Sequence, residues 1–354
     1  MTHQSLDSQV VHFQEPKPPF PYRSEEVTYF NEQAGIELAG TLTLPVAKGS
    51  YSAVILIAGM GPNDRDYTML GHKPFFVLAD YLTRRGIAVL RFDKRGIGLS
   101  SGVFDLSLTS EDFAQDVLSG IAYLKTRTDL SIKNIGLIGH SEGGMIAPMV
   151  AAQSPEVAFL VLMGGVAVTS VDLVVEQVAM QFRADGASQS MVAHDRLVRA
   201  ALLNAAMQEN KQRLQEIIAR YWEGLSDTLK HEAEQLPFAI TEANAAETIA
   251  FFVSPWYRFF LTHDPRVVLQ QITVPLLALN GDLDFIVSSS IALSVIAEAL
   301  REANNTHFSV RELPSMNHWF QTCKTGAFAE YGELAETISE TVLKIVGDWI
   351  INQS

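Results

Sequence analysis

The residues best suited to chemistry lie in Ile138-Gly139-His140-Ser141-Glu142-Gly143-Gly144. Before this string runs an apolar segment, Ile135–Ile138; after it comes a stretch rich in small residues, Gly144–Ala152. That order reads as a buried strand, a tight turn and a helix, with the Ser141 hydroxyl projecting from the sheet edge. Gly139 and Gly143 leave room where side chains would collide with the neighbouring strand and helix. A serine hydroxyl is a weak nucleophile until a base takes its proton. That base is commonly a histidine oriented by a buried carboxylate.

Nine histidines are available. His140 adjoins the serine, but a direct neighbour on such a turn points elsewhere. His3 and His12 lie in the N-terminal arm, His72 beside a glycine in a loop, and His307 at a strand start. His194, His231 and His263 fall in a helical stretch discussed below. His318, in Pro314-Ser-Met-Asn-His318, follows the last strand candidate and precedes the last long helix candidate. In a parallel sheet the loops after the strands gather at one edge, which places His318 on the side of Ser141. The acid should follow an intervening strand. Leu276–Leu279 leads into Asn280-Gly281-Asp282-Leu283-Asp284-Phe285-Ile286-Val287, so Asp282 and Asp284 are both candidates. Asp282, directly after a glycine, suits the turn itself, where aspartate often caps nearby backbone. Asp284 stands further along the loop, before the apolar pair that returns to the core, and is favoured. Two backbone N–H donors should stabilise the oxyanion. Glu142 supplies one; Met60, in Gly59-Met60-Gly61-Pro62 after the first core strand, supplies the other.

The elements that must position these residues begin with a hairpin, Glu26–Tyr29 and Ile36–Leu44 across polar Asn31 to Gly35. Buried strands are expected at Ala53–Ala58, Ala88–Phe92, Ile135–Ile138, Ala158–Met163, Leu276–Leu279 and Phe308–Leu313. Helices are expected at Lys73–Arg84, Ser110–Thr126, Glu142–Ala152, Ser289–Arg301 and Leu334–Ile350. Continuous apolar strands alternating with helices imply a mainly parallel sheet covered on both faces. Residues 168–270 break this rhythm: stripes such as Val171, Val174, Val175, Val178 and Phe182, or Leu214, Ile217, Ile218 and Tyr221, are helical. The division expected is therefore an extended N-terminal arm over 1–25, a first core segment over 26–167, a helical cap over 168–270 and a second core segment over 271–354. Pro148 should kink its helix or sit near the first turn. Of Trp222, Trp256, Tyr257, Phe259 and Phe260, one or two should face the site.

The chain has 354 residues, 47% hydrophobic and 19% charged, with a formal net charge of −14. Such apolar content supports a large core. No basic face suited to nucleic acid is evident, and strongly anionic ligands are disfavoured at long range. Cys323 is the only cysteine, so no intrachain disulfide forms, as in a reducing compartment. Met1–Gln14 lacks the apolar core of a signal peptide, and no apolar run is long enough to span a bilayer. A cytoplasmic enzyme without membrane partners is expected. Gly96-Ile-Gly98 fails as a dinucleotide fingerprint because Ser101 stands where the third glycine belongs. No metal-ligand spacing occurs, so neither metal nor cofactor is expected.

The order Ser141, Asp284, His318 resembles that of the α/β-hydrolase superfamily, in its serine carboxylesterase-like branch. Gly59-Met-Gly-Pro-Asn-Asp-Arg-Asp66 is similar to the oxyanion loop of some bacterial carboxylesterases. Phe92-Asp-Lys-Arg-Gly-Ile-Gly98 resembles a turn common across the superfamily, and Asp284 fits its Gly-x-x-Asp-x-x-Val spacing. Ala58 departs from the histidine that many relatives carry there. The resemblance covers roughly Glu26 to Ile350 and implies an α/β-hydrolase fold with an inserted cap. It further implies ester hydrolysis through an acyl-enzyme on a small-molecule substrate. Thioester or peptide hydrolysis would use the same residues, and a catalytically silent ligand-binding scaffold is the non-enzymatic alternative. Asp64, Arg65 and Asp66 read as an ion-pair cluster that pins the oxyanion loop.

Overall fold

Alternate residues of the first core strand enter different cores. Val54 and Leu56 pack on one side, Ile55 and Ile57 on the other, and all four are almost wholly buried. A strand apolar on both faces needs helices on both faces. The computed structural model, which describes residues 12–46 and 49–353, supplies them. Its strands are β1 (Arg23–Asn31), β2 (Ile36–Leu44), β3 (Tyr51–Ile57), β4 (Ala88–Phe92), β5 (Ile132–His140), β6 (Val157–Met163), β7 (Leu276–Gly281) and β8 (Phe308–Leu313). They form one sheet in the order β1-β2-β4-β3-β5-β6-β7-β8. The expected hairpin is present as β1 and β2. β2 also runs antiparallel to β4, and every later pairing is parallel.

Helices α1 (Pro74–Arg84), α2 (Ser110–Thr126) and α3 (Glu142–Gln153) follow the early strands. Between β6 and β7 stand seven more: α4 (Val171–Ala184), α5 (Gln189–Met207), α6 (Lys211–Gly224), α7 (Asp227–Gln235), α8 (Ala245–Phe252), α9 (Pro255–Thr262) and α10 (Pro265–Leu269). α11 (Ser289–Glu302) and α12 (Glu340–Ile351) complete the chain. α1 and α12 cover the face of Val54 and Leu56, while α2, α3 and α11 cover that of Ile55 and Ile57. This is the α/β-hydrolase fold with a helical insert in the position of a cap. Among the described residues no helix is long and apolar enough to cross a membrane.

The insert is helical for local reasons. Ser170, Ser188, Ser226 and Ser254 each accept the backbone N–H three residues on, which satisfies a donor that a helix start leaves open. Asn210 does the same for α6. Leu214, Ile217, Ile218 and Tyr221 are all buried as their spacing implies. The stripe on α4 divides: Val175 and Phe182 pack inward, whereas Val174 and Val178 border a cavity.

Several boundaries differ from expectation, β5 for one running from Ile132 to His140, and two of them involve the N-terminal arm. The last helix starts at Glu340 rather than Leu334, because the N–H groups of Thr337 and Ile338 are taken by the Gln14 amide oxygen. The Gln14 amide nitrogen in turn donates to the Ile338 carbonyl, 2.7 Å away. β1 starts at Arg23, inside the stretch assigned to the arm. Before it, Phe20 meets the Phe76 ring edge-on and the Tyr22 hydroxyl donates to Asp80, so this part of the arm lies along α1. Most of Met1–Gln14, read as lacking a signal peptide, falls outside the described residues.

The fold leaves no room for a side chain where α3 meets the sheet. A Cβ on Gly143 would lie 2.1 Å from the Ile57 carbonyl oxygen, a backbone atom. Gly143→Ala should therefore destabilise the protein by roughly 1–3 kcal/mol. Gly224, at the end of α6, meets nothing closer than 4.0 Å. Gly224→Ala should be neutral or stabilising by up to about 1 kcal/mol. Urea unfolding of both variants tests this; equal midpoints would contradict it.

Candidate active site

Parallel strands bring their following loops to one edge of the sheet, and five such loops meet here. Ser141 sits between β5 and α3 with φ 57° and ψ −120°, a conformation that L residues rarely adopt. Such a residue stores about 1–3 kcal/mol of strain, which the surroundings must hold. Its N–H donates to the Met163 carbonyl, and its carbonyl accepts from Gly144 and Val166. A Cβ on Gly139 would sit 2.0 Å from the Gly143 carbonyl oxygen, so both glycines permit the close turn as expected.

The loops after β7 and β8 carry Asp284 and His318, both buried. His318 Nδ1 lies 2.7 Å from Asp284 Oδ2. The other carboxylate oxygen, Oδ1, accepts the N–H groups of Ile286 and Val287 at 2.9 and 2.8 Å. The carboxylate is thus aimed by its own loop. Asp282 is exposed and accepts the Met316 N–H, a turn contact. The structure brings Asp284, and not Asp282, to His318.

Ser141, His318, Met60 and Glu142 border one cavity of about 380 Å³. The Gly59 carbonyl accepts from Asn63 Nδ2 at 2.8 Å and from Lys94 Nζ at 2.5 Å. Arg65 pairs with Asp93 and Glu26, and Asp66 with Arg91, so Arg65 and Asp66 do tie this loop to the sheet. Asp64 instead accepts the N–H groups of Asp66 and Thr68.

His140 links two of these loops. Its Nε2 lies 2.8 Å from the His318 carbonyl, which can only accept, so Nε2 carries the proton. Burial, and then the neighbouring His318, lower the His140 pKa to about 3. The neutral ring therefore accepts at Nδ1 from the Tyr67 hydroxyl, which itself accepts the Gly59 N–H. The chain of bonds runs from Gly59 in the loop after β3 to the backbone of His318.

Sequence reasoning missed several residues of the site. The Glu142 side chain is buried and accepts from Ser110 and from Trp256 of the insert, both at 2.7 Å. Lys94 is buried beside it, over the Phe113 ring. Three of the five aromatics considered border the cavity, namely Trp256, Tyr257 and Phe260, where one or two were expected. Trp222 and Phe259 do not. Phe251 and Phe252 join the three because α8 and α9 present one aromatic face. Pro148 lies inside α3, past the first turn.

Residues 73–241 match the family described as serine aminopeptidase, S33. Esterase EstD of Thermotoga maritima is 38% identical over 118 residues, 33% of this chain and 28% of that protein. The chain thus matches little more than a quarter of that relative's length. Among solved structures, the Pyrococcus furiosus esterase Pf2001 superposes with a TM-score of 0.54 at 16% identity, over 94% of this chain and 91% of that one. Est1E from Butyrivibrio proteoclasticus, solved with ferulic acid bound, gives 0.52 at 16% identity, over 92% and 98%. The fold is that of the α/β-hydrolases, and the family match covers just under half of the chain. A third of its sequence is similar to one of these esterases, and its fold is similar to that of the other two.

The protonation of His140 has a consequence for stability. An unfolded histidine titrates near 6.5, and native His140 near 3. Between these values the unfolded chain binds the extra proton, so stability falls as pH drops from about 6.5 toward 3. His72 and His263, also lowered by burial, contribute in the same direction. His140→Gln should remove roughly 2 kcal/mol of the loss between pH 6.5 and 5. Denaturant unfolding of both proteins at the two pH values measures it. An equal loss in parent and variant would contradict the neutral, buried ring.

Proposed function

We propose that this protein is a serine hydrolase that cleaves carboxylic esters through an acyl-enzyme. The observation that carries the reading is the Asp284–His318 pair, bonded at 2.7 Å, with His318 on the same cavity as a strained Ser141. With Nδ1–H directed at Asp284, His318 keeps Nε2 as the base. It takes the Ser141 proton as Oγ attacks the ester carbonyl. The negative oxygen of the tetrahedral intermediate is held by the N–H groups of Met60 and Glu142. His318 then gives its proton to the departing alcohol. Water, deprotonated by His318, resolves the acyl-enzyme. Asp284 stabilises the imidazolium formed in each half-reaction. These steps need no cofactor.

The substrate we infer is an uncharged or weakly charged ester with a small to medium acyl group. Val174, Val178, Phe251, Trp256 and Phe260 give the cavity apolar walls. The cation that borders it, Arg199, is held by both carboxylate oxygens of Asp195, so its charge is matched. Residues 168–270 act in this reading as a cap that sets substrate size rather than chemistry. A cytoplasmic setting suits the single, buried Cys323. Hydrolysis of an aminoacyl amide is the second reading. It is favoured by the description of the matched family and by Gln181, whose buried Oε1 has no partner among the described residues. A substrate amino group would donate to such an oxygen.

Asp284→Asn should lower kcat for p-nitrophenyl butyrate by about ten-thousand-fold, since an amide favours the wrong histidine tautomer. Asp282→Asn should cost less than about tenfold, in keeping with a lost turn contact. Steady-state kinetics on the two variants decides between them, and the reverse order of damage would assign the acid to Asp282. A second series compares short p-nitrophenyl esters, long-chain acyl-coenzyme A and aminoacyl p-nitroanilides. The highest kcat/KM is expected for the short esters. Preference for the thioester or the anilide would replace the esterase reading by that activity.

A further inference from the structure

Lys94 is a buried cation that the proposed reaction does not use, and burying an ammonium without a purpose is costly. Burial lowers its pKa, against which Glu142 and then Asp116 act. Its contacts explain what holds it there. Nζ donates to the Gly59 carbonyl at 2.5 Å, faces Glu142 Oε2 at 3.7 Å and lies 4.4 Å from the Phe113 ring centre.

The Gly59 carbonyl and the Met60 N–H belong to the same peptide unit. Among the described residues the only cis bond is Pro18–Pro19, so this unit is trans and its two dipole ends point in opposite directions. Lys94 and Asn63 hold the carbonyl end from within the protein. The N–H end is thereby turned the other way, on the side where Met60 and Ser141 border the cavity. Gly59 abuts the nucleophile itself: a Cβ there would lie 2.8 Å from Ser141 Cβ. Gly59 has no Cβ, so the ψ rotation that turns this peptide meets little steric resistance on its side. A cation on the carbonyl both prevents the flip and polarises the amide, which makes the N–H a better donor.

Glu142 completes the arrangement. Its backbone supplies the second proposed donor, while its buried carboxylate faces Lys94 and accepts from Ser110 and Trp256. We infer that Lys94 is a positioning residue that orients the Gly59–Met60 peptide for the oxyanion, and that Glu142 ties this clamp to Trp256 of the helical insert. The inference rests on the reading of Ser141 as nucleophile.

The test uses Lys94→Met, and Lys94→Met combined with Glu142→Gln so that no buried charge is left unpaired. Ser141→Ala is run in parallel. Functional sites are counted by endpoint labelling with a fluorophosphonate, and rates are expressed per labelled site, so that a loss of folded protein does not count. Removing one oxyanion donor outright costs about 10²–10³ in kcat. Misorienting one should lower kcat about 10- to 100-fold in both Lys94 variants, with KM within about threefold. A trifluoromethyl ketone, which binds as a tetrahedral oxyanion, should weaken by the same factor, while the corresponding methyl ketone binds as before. A kcat per site within about threefold of the parent in both variants, with unchanged trifluoromethyl ketone affinity, overturns the inference. Retained hydrolysis by Ser141→Ala would instead overturn the reading beneath it.

Discussion

The close approach of α3 to the sheet at Ser141 is the constraint on which the rest depends. The helix can start beside β3 and β6 only because Gly139, Gly143 and Gly144 carry no side chains against backbone atoms of Gly143, Ile57 and Gly165. That approach forces Ser141 to φ 57° and lifts its side chain to the edge where the other loops converge. The strain is local, and two large cores, one on each face of the sheet, over-determine the backbone that bears it. Stability held in the cores is thus used to keep one residue in a conformation it would not choose alone.

Around that point the polar groups form two linked sets. One set holds His318: Asp284 is fixed by the N–H groups of its own loop and meets the His318 ring, while His140 donates to the His318 carbonyl. The other set holds the Gly59–Met60 peptide in the loop after β3, through Asn63, Lys94 and the carboxylate of Glu142. Tyr67 joins them, because its hydroxyl serves both His140 and the Gly59 N–H. Each donor in these chains has a defined acceptor, and fixed dipoles of this kind need little reorganisation when charge develops. The insert joins the second set through Trp256, so the wall of the cavity and the start of α3 share one carboxylate.

Much of this was legible from residue order. Continuous apolar runs identified the strands, and the serine, aspartate and histidine after three of them fell at one sheet edge. The spacing of Asp284 within its loop set it apart from Asp282, and the structure places Asp284 beside His318 and Asp282 in a turn contact with Met316. Other features depend on contacts remote in sequence. Leu334 to Ser339 continue an apolar pattern, yet Gln14, over three hundred residues away, claims the backbone donors that a helix there would need. Lys94 and the Glu142 side chain were passed over because a charged residue in a turn is normally solvated; only their mutual burial gives them a role. The aromatic face made by α8 and α9 is larger than the sequence implied, because Phe251 and Phe252 supply two of its five rings.

The central claim is that Ser141 forms a covalent acyl-enzyme. Its most direct measurement is reaction with a fluorophosphonate, followed by intact-mass analysis and mapping of the modified peptide. The account predicts one adduct per chain, on Ser141. No adduct on folded protein, or an adduct on a different residue, would contradict it.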